Sequence, residues 1–220
     1  MRKSSARKIA YGAAVVFLLS SLTGWAAFNN LCTKLDNSIP ANSDGVSSNG
    51  RIPLGSSGKG DAVNVFYSCI LKEGNEYKMW YTGRDAATRD QIFYATSPDG
   101  LAWTKYDNSD PSASDTVSGS GQVPVGTSGK GDEQYVGRPF VMKDGDVYRM
   151  WYNGYDGTYW RIYCATSYDG LAWSKLNNAI PAASDTSSTD GQIPEGTGGK
   201  GDDAGAGGAC VIKDGGTYKM

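Results

Sequence analysis

A unit of about seventy residues is written into this chain three times, and that repetition limits what the chain can fold into more than any motif does. Met79-Trp80-Tyr81-Thr82-Gly83 returns 71 residues on as Met150-Trp151-Tyr152-Asn153-Gly154. The run Ala95 to Trp103 returns 70 residues on as Ala165 to Trp173. Gly58-Lys59-Gly60-Asp61 reappears as Gly129-Lys130-Gly131-Asp132 and again as Gly199-Lys200-Gly201-Asp202. The third copy runs through Val211 to Met220, where a Trp-Tyr pair comes next by register. The copies divide at about 35–105, 106–175 and 176–220.

Within one copy the punctuation is that of short strands. Phe140 to Lys143 reads as a strand, Asp144-Gly145-Asp146 as a turn, and Val147 to Asn153 as a second strand. In that second strand Tyr148, Met150 and Tyr152 share one face, Arg149 and Trp151 the other. Trp160 to Ser167 is a third strand, Asp169-Gly170 a hairpin dipeptide, and Leu171 to Leu176 a fourth. Glycine supplies 30 of 220 residues, about double its usual share, as a turn-rich all-β chain requires. Four antiparallel strands copied in series predict the blades of a β-propeller rather than a solenoid, whose repeats are shorter and more uniform. Long connections over 37–61, 108–132 and 178–202 join the units. Their faithful copying predicts defined, functional loops ending near a channel mouth.

Residues 1–26 read as a leader. Arg2, Lys3, Arg7 and Lys8 precede an apolar run from Ile9 to Leu19 and a small-residue cleavage zone. The run is too short to span a bilayer comfortably. Export is expected, to the periplasm, the cell surface or the medium, with residues 27–220 the folded part and no membrane partner after removal. Four basic residues go with the leader, leaving 17 basic against 23 acidic side chains. That balance has no footprint for nucleic acid. The absence of histidine excludes Ser-His-Asp and Cys-His triads and His-ligated metals.

The order Val-Ile-Lys-Asp-Gly-Gly-Thr-Tyr-Lys-Met, Met-Trp-Tyr-Xaa-Gly and Ala-Thr-Ser-Xaa-Asp-Gly-Leu-Ala-Trp resembles the blades of the five-bladed propeller glycosidases, the arabinanase, levansucrase and invertase group with its phosphorylase-like relatives. The resemblance implies a five-bladed ring when whole, here about two and a half blades. It also implies carboxylates from different blades around a central pocket, with the base in an Asp-Pro pair opening an innermost strand. The matching positions are Tyr67-Ser68, Arg138-Pro139 and Gly208-Ala209, and none carries the aspartate.

The nearest acidic groups are Asp61, Asp132 with Glu133, and Asp202 with Asp203. Asp132, Glu133, Asp202 and Asp203 are therefore the candidate catalytic carboxylates, since glycoside hydrolysis needs an acid and a base flanking the bond. The competing reading is that they cap turns or pair with Lys59, Lys130 and Lys200, because they recur in every copy. Residues that do not recur are better candidates for a site: Arg84, Arg89 and Asp90 in one unit, and Tyr135, Arg138, Tyr155, Tyr159 and Trp160 in the next. Of these, Arg84, Tyr135, Arg138 and Trp160 are the expected carbohydrate-binding residues, aromatic faces against sugar rings and polar groups against hydroxyls. Repeated Trp80, Trp103, Trp151 and Trp173 read as packing residues.

Four further signals are weaker. Ser97-Pro98-Asp99-Gly100 approaches the Asp-box of sialidases, itself a structural turn. Asn42-Ser43-Asp44-Gly45 and Asp107-Asn108-Ser109-Asp110 hold oxygen donors of the kind calcium takes, but without EF-hand order they read as solvated turns, and no cofactor is expected. The Gly-Lys-Gly-Asp stretches lack the Ser/Thr and glycine spacing of a phosphate loop. Cys32, Cys69, Cys164 and Cys210 fall on apolar strand columns, which predicts buried thiols rather than disulfides.

The expected molecule is an exported, glycosidase-like partial propeller that acts on or binds plant or microbial polysaccharide. The rival is a non-catalytic surface repeat protein that binds glycans or proteins through its long Ser/Gly/Asp loops. Two and a half repeats cannot close a ring, so the remaining blades of a longer chain, or a second copy, are expected as partners.

Overall fold

A computed structural model describes residues 40–45, 50–186 and 191–220. The leader at 1–26, Cys32 and Asn37 lie outside the described residues. Those described form strands and loops, with no helix among them. β1 (Asn64–Glu73), β2 (Glu76–Arg84), β3 (Asp90–Ser97) and β4 (Thr104–Lys105) make one antiparallel meander in that order. In the second unit, β5 (Val117–Ser118) comes from the incoming connection. It pairs with the outer edge of β6 (Tyr135–Asp144), β7 (Val147–Tyr155), β8 (Trp160–Ser167) and β9 (Trp173–Lys175), giving the order β5-β9-β8-β7-β6. β10 (Ile212–Asp214) and β11 (Thr217–Lys219) form a hairpin that opens a third unit. These are two blades and the start of another in a β-propeller whose sheets do not close into a ring.

β8 has the bounds that its sequence pattern gives, whereas β6 and β9 do not. β9 starts at Trp173 because the preceding turn consumes two residues. Asp169 Oδ1 accepts the amides of Leu171 and Ala172, each at 2.8 Å, and Ser167 Oγ accepts that of Gly170. Ser97 and Asp99 build the same turn in the first blade. β6 starts at Tyr135 because it continues through a bulge whose Pro139 and left-handed Arg138 hide the strand period.

The alternation in β7 sorts its side chains as the sequence predicts. Tyr148, Met150 and Tyr152 join the large core between the blades, with Trp80, Ile92 and Tyr94 of the first blade and Trp173 of the second. Trp151 lies on the opposite face with Ile162, Cys164 and Val211. The indole of Trp80 donates across the interface to the Gly170 carbonyl at 3.1 Å, and that carbonyl also accepts from Trp173 at 2.9 Å. All four repeated tryptophans are buried. β1 and β6 run side by side, with the Cys69 sulfur 3.2 Å from the Val141 amide.

The connection over 108–132 is not a free loop. Val123 and Val125 are buried in the inter-blade core, and Val123 exchanges both backbone hydrogen bonds with Ile92 of β3. Gln122 clasps the carbonyls of Asp107 and Ser109, and Gln192 does the same to Asn177 and Ala179 one copy later. The connection is thus a wedge between successive blades.

Candidate functional site

The aspartate of each complete Gly-Lys-Gly-Asp unit anchors the wedge to its blade. Asp132 is fully buried. It pairs with Lys175 of β9 at 2.8 Å, and it accepts hydrogen bonds from Tyr152 at 3.1 Å and Asn178 at 2.9 Å. Asp61 does the same with Lys105 at 2.6 Å, Tyr81 at 3.0 Å and Asn108 at 2.8 Å. The lysine partner is therefore the one on the outer strand, not the adjacent Lys59 or Lys130 that the sequence suggested. Lys175 also donates to the Ser114 and Pro124 carbonyls, each at 2.8 Å. Burial pushes Lys175 below its ordinary value, against the pull of Asp132. A Cβ at Gly126 would stand 2.2 Å from Asp132 Oδ1, so glycine is needed there for the approach.

Glu133 and Asp203 sit one residue further on and accept the amides of Gly129 and Gly199, whose φ of 86° and 87° turns the chain. Asp202 is exposed, while Asp132 is sealed, with both its oxygens committed. Asp132, Glu133 and Asp203 thus hold loop structure, and none of the four acidic candidates lines the cleft described below. The oxygen clusters do not suit calcium either. Asp44 accepts from Ser56 and Asn108, and Asp110 from Arg89 and Gln91. These neighbours are donors and a cation, not further ligands. No group of three or more carboxylates or thiols is set to hold a metal among the described residues.

The non-repeating residues do converge. At the end of the sheets where β1 and β6 begin, a shallow cleft of about 150 Å³ is lined by Phe66, Tyr67, Thr82, Arg84, Asp90, Gly137, Arg138 and Trp160. Its floor is the bulge of each inner strand. Tyr67 has a φ of 47° and Arg138 of 52°, and Gly208 in the next copy has 74°. The preceding blade pins the bulge. Thr82 Oγ1 accepts the Arg138 amide at 2.9 Å, as Asn153 Oδ1 accepts that of Gly208 at 2.8 Å. These are the positions where the resembling family carries its Asp-Pro.

The walls are aromatic and charged. The Arg138 guanidinium lies 4.7 Å from the Tyr67 ring centre and 5.8 Å from that of Trp160, and it donates to the Tyr67 hydroxyl at 3.3 Å. Trp160 is backed by a stack, 4.7 Å from Tyr155 and 5.9 Å from Tyr135. Opposite, Arg84 grips Asp90 through two hydrogen bonds of 2.5 and 2.8 Å, which raise the Arg84 guanidinium above its ordinary value. Of the expected binding residues, Arg84, Arg138 and Trp160 line the cleft, and Tyr135 supports it from behind. Arg89 is taken up by Asp85 and Asp110. Phe66 and Tyr67 were missed, although they break the repeat like the others.

The rungs of the two blades make that contrast explicit. Strand pairing sets Asp90 opposite Arg84 and Trp160 opposite Tyr155, Phe66 opposite Thr82 and Gly137 opposite Asn153. At these four equivalences the residue type changes between copies, while the packing and hub residues are repeated.

The thiols also need a correction. Cys164 is buried and Cys69 half-buried, but Cys210, just before β10, is exposed. None of the three is in a disulfide.

No protein-family model matches the chain. Over 123 residues, 53% of its length, it is 37% identical to the uncharacterized protein Rv1502 of Mycobacterium tuberculosis H37Rv, and the match covers 36% of that protein. MT1551 of strain CDC 1551 matches to the same extent. The chain thus spans little more than a third of the curated relatives it matches. Among solved structures, it is similar to a glycosyl hydrolase from Bacteroides ovatus, with a TM-score of 0.45 and 18% identity over 60% of this chain and 35% of that one. It is also similar to Zg3597, a family 117 glycoside hydrolase of Zobellia galactanivorans, with a TM-score of 0.44 and 14% identity over 73% of this chain and 50% of that one.

Proposed function

We propose that this chain is part of an exported, glycosidase-like propeller and that it binds carbohydrate in the cleft between its first two blades. The observation that carries the reading is that the residues lining this cleft differ between copies, whereas the buried tryptophans and the Asp–Lys–Tyr–Asn anchors of the wedges are repeated. Aromatic rings of Phe66, Tyr67 and Trp160 offer faces for a sugar ring, and Arg84, Asp90 and Arg138 offer donors and acceptors for its hydroxyls. Left-handed backbone at two non-glycine residues is strain of the kind kept where a side chain must be aimed.

Binding is the role assigned to these residues, and hydrolysis is not. Carboxylate acid/base catalysis requires two acidic groups across the bond. The cleft holds only Asp90, committed to Arg84. The rival in which long Ser/Gly/Asp loops bind partners loses support, because Asp44, Asp115 and Asp185 cap Ser56, Thr127 and Thr197 within those loops. The test is a glycan array, with affinity electrophoresis in arabinan, xylan and levan gels. Retention that Trp160→Ala abolishes supports the reading; retention unchanged in that variant overturns it.

A further inference from the structure

We propose that the cleft selects an acidic sugar, with Arg138 as the residue that engages its carboxylate. This rests on the carbohydrate reading above and narrows it to one class of ligand. The formal charges of the lining residues leave one cation over. Arg84 and Asp90 neutralise each other, while Arg138 has no carboxylate partner among the described residues. Arg84, Arg89 and Arg161 each grip an acidic group, so an arginine without one is a departure from how this fold uses the residue.

The backbone under Arg138 points the same way. The fold does not need a side chain there, since Gly208 stands at the equivalent position of the next copy with a left-handed φ and a matching amide hydrogen bond. A non-glycine residue in the left-handed region costs energy that glycine does not. Here that residue is a long cation on an exposed site. The rings of Tyr67 and Trp160 lie beside the guanidinium, which makes a single side-chain hydrogen bond among the described residues, to the Tyr67 hydroxyl. A planar fork with donors to spare matches a carboxylate in two-point contact. Beside it, the Phe66 ring of the same cleft meets the apolar side of the sugar ring that carries it. A neutral ring would use the faces and leave the charge unanswered, so selectivity comes from the arginine.

The experiment uses the full chain and calorimetric titration with trisaccharides of galacturonate, glucuronate and mannuronate, each as the free acid and as its methyl ester, at low and at raised salt. At least one acid should bind roughly tenfold or more tighter than its ester, the size of one charge-assisted hydrogen bond. Salt should narrow that gap. Arg138→Gln should bring the acid down to the affinity of the ester, and Arg138→Lys should keep part of the preference without the fork. Equal affinities for acid and ester, both lost in Trp160→Ala, would overturn acid selection and leave the carbohydrate reading standing. A preference that survives in Arg138→Gln would overturn the role of Arg138. Binding of none of these sugars, with neutral glycans retained on the array, would overturn acid selection alone. Failure on both would remove the carbohydrate reading as well.

Discussion

Tyr67 and Arg138 occupy the same bulge in neighbouring inner strands, 71 residues apart, and the ring of one lies 4.7 Å from the guanidinium of the other. Both residues hold left-handed φ. The scaffold supplies the bulge in both complete blades and pins Arg138 and Gly208 by an amide hydrogen bond from the preceding blade, and the sequence decides what stands there. The predictions follow from that division between repeated support and varied surface.

Arg138→Gly should not lower stability. Leaving a strained conformation gains about 1–2 kcal/mol, and the greater freedom of glycine when unfolded takes back about 0.5–1. Urea denaturation should give an unchanged or slightly raised midpoint together with weakened ligand binding. A clear fall in midpoint would mean that the side chain, not the bulge, holds this end of the blades together.

Lys175→Met should be severely destabilising. It leaves Asp132 charged and sealed with only Tyr152 and Asn178, and breaking a buried pair this way costs about 3–5 kcal/mol. Asp132→Asn should weaken the fold too. At temperatures where that variant remains folded, it should bind ligand like the parent. Selective loss of binding with stability intact would contradict the structural role of Asp132.

Acid should loosen the contact between the blades. Burial would raise the Glu73 carboxyl, but hydrogen bonds from Lys143, Lys78 and Tyr148 outweigh it and hold the group at about 2, against an ordinary 4.5. A depressed value stabilises the fold fully above 4.5 and loses that contribution as pH falls from 4.5 towards 2. Thermal midpoints measured across that window should drop, and Glu73→Gln should flatten the slope. The next interface repeats the arrangement as Asp144 with Lys213 and Tyr218.

Thiol reactivity should follow exposure. Cys210 should react quickly with a maleimide under native conditions. Cys164 should not react until the protein unfolds, since burial pushes its thiol up to about 11. Mass spectrometry of labelled peptides separates the two. Early labelling of Cys164 would show that the face holding Trp151 and Val211 opens readily.

The site was partly legible because departures from a repeat can be read without coordinates. Arg84, Arg138 and Trp160 are legible that way; the same signal marks Phe66 and Tyr67, of which Tyr67 stood out only as a position without the family's aspartate and Phe66 not at all. The Asp132–Lys175 pair was not legible. A burial partner 43 residues away leaves no local pattern, whereas Lys130, two residues away, invited the wrong pairing.

By itself the sequence determined the repeat, the strand alternation and the faces of β7, because pleating and turn chemistry act between neighbours in the chain. It also showed that this chain contributes no histidine. Only the tertiary structure decided that the long connections are wedges and that Asp61 and Asp132 are buried anchors. The cleft, too, exists only where β1, β2, β3, β6 and β8 meet. Those outcomes depend on which faces pack together, and packing joins residues that sequence distance keeps apart.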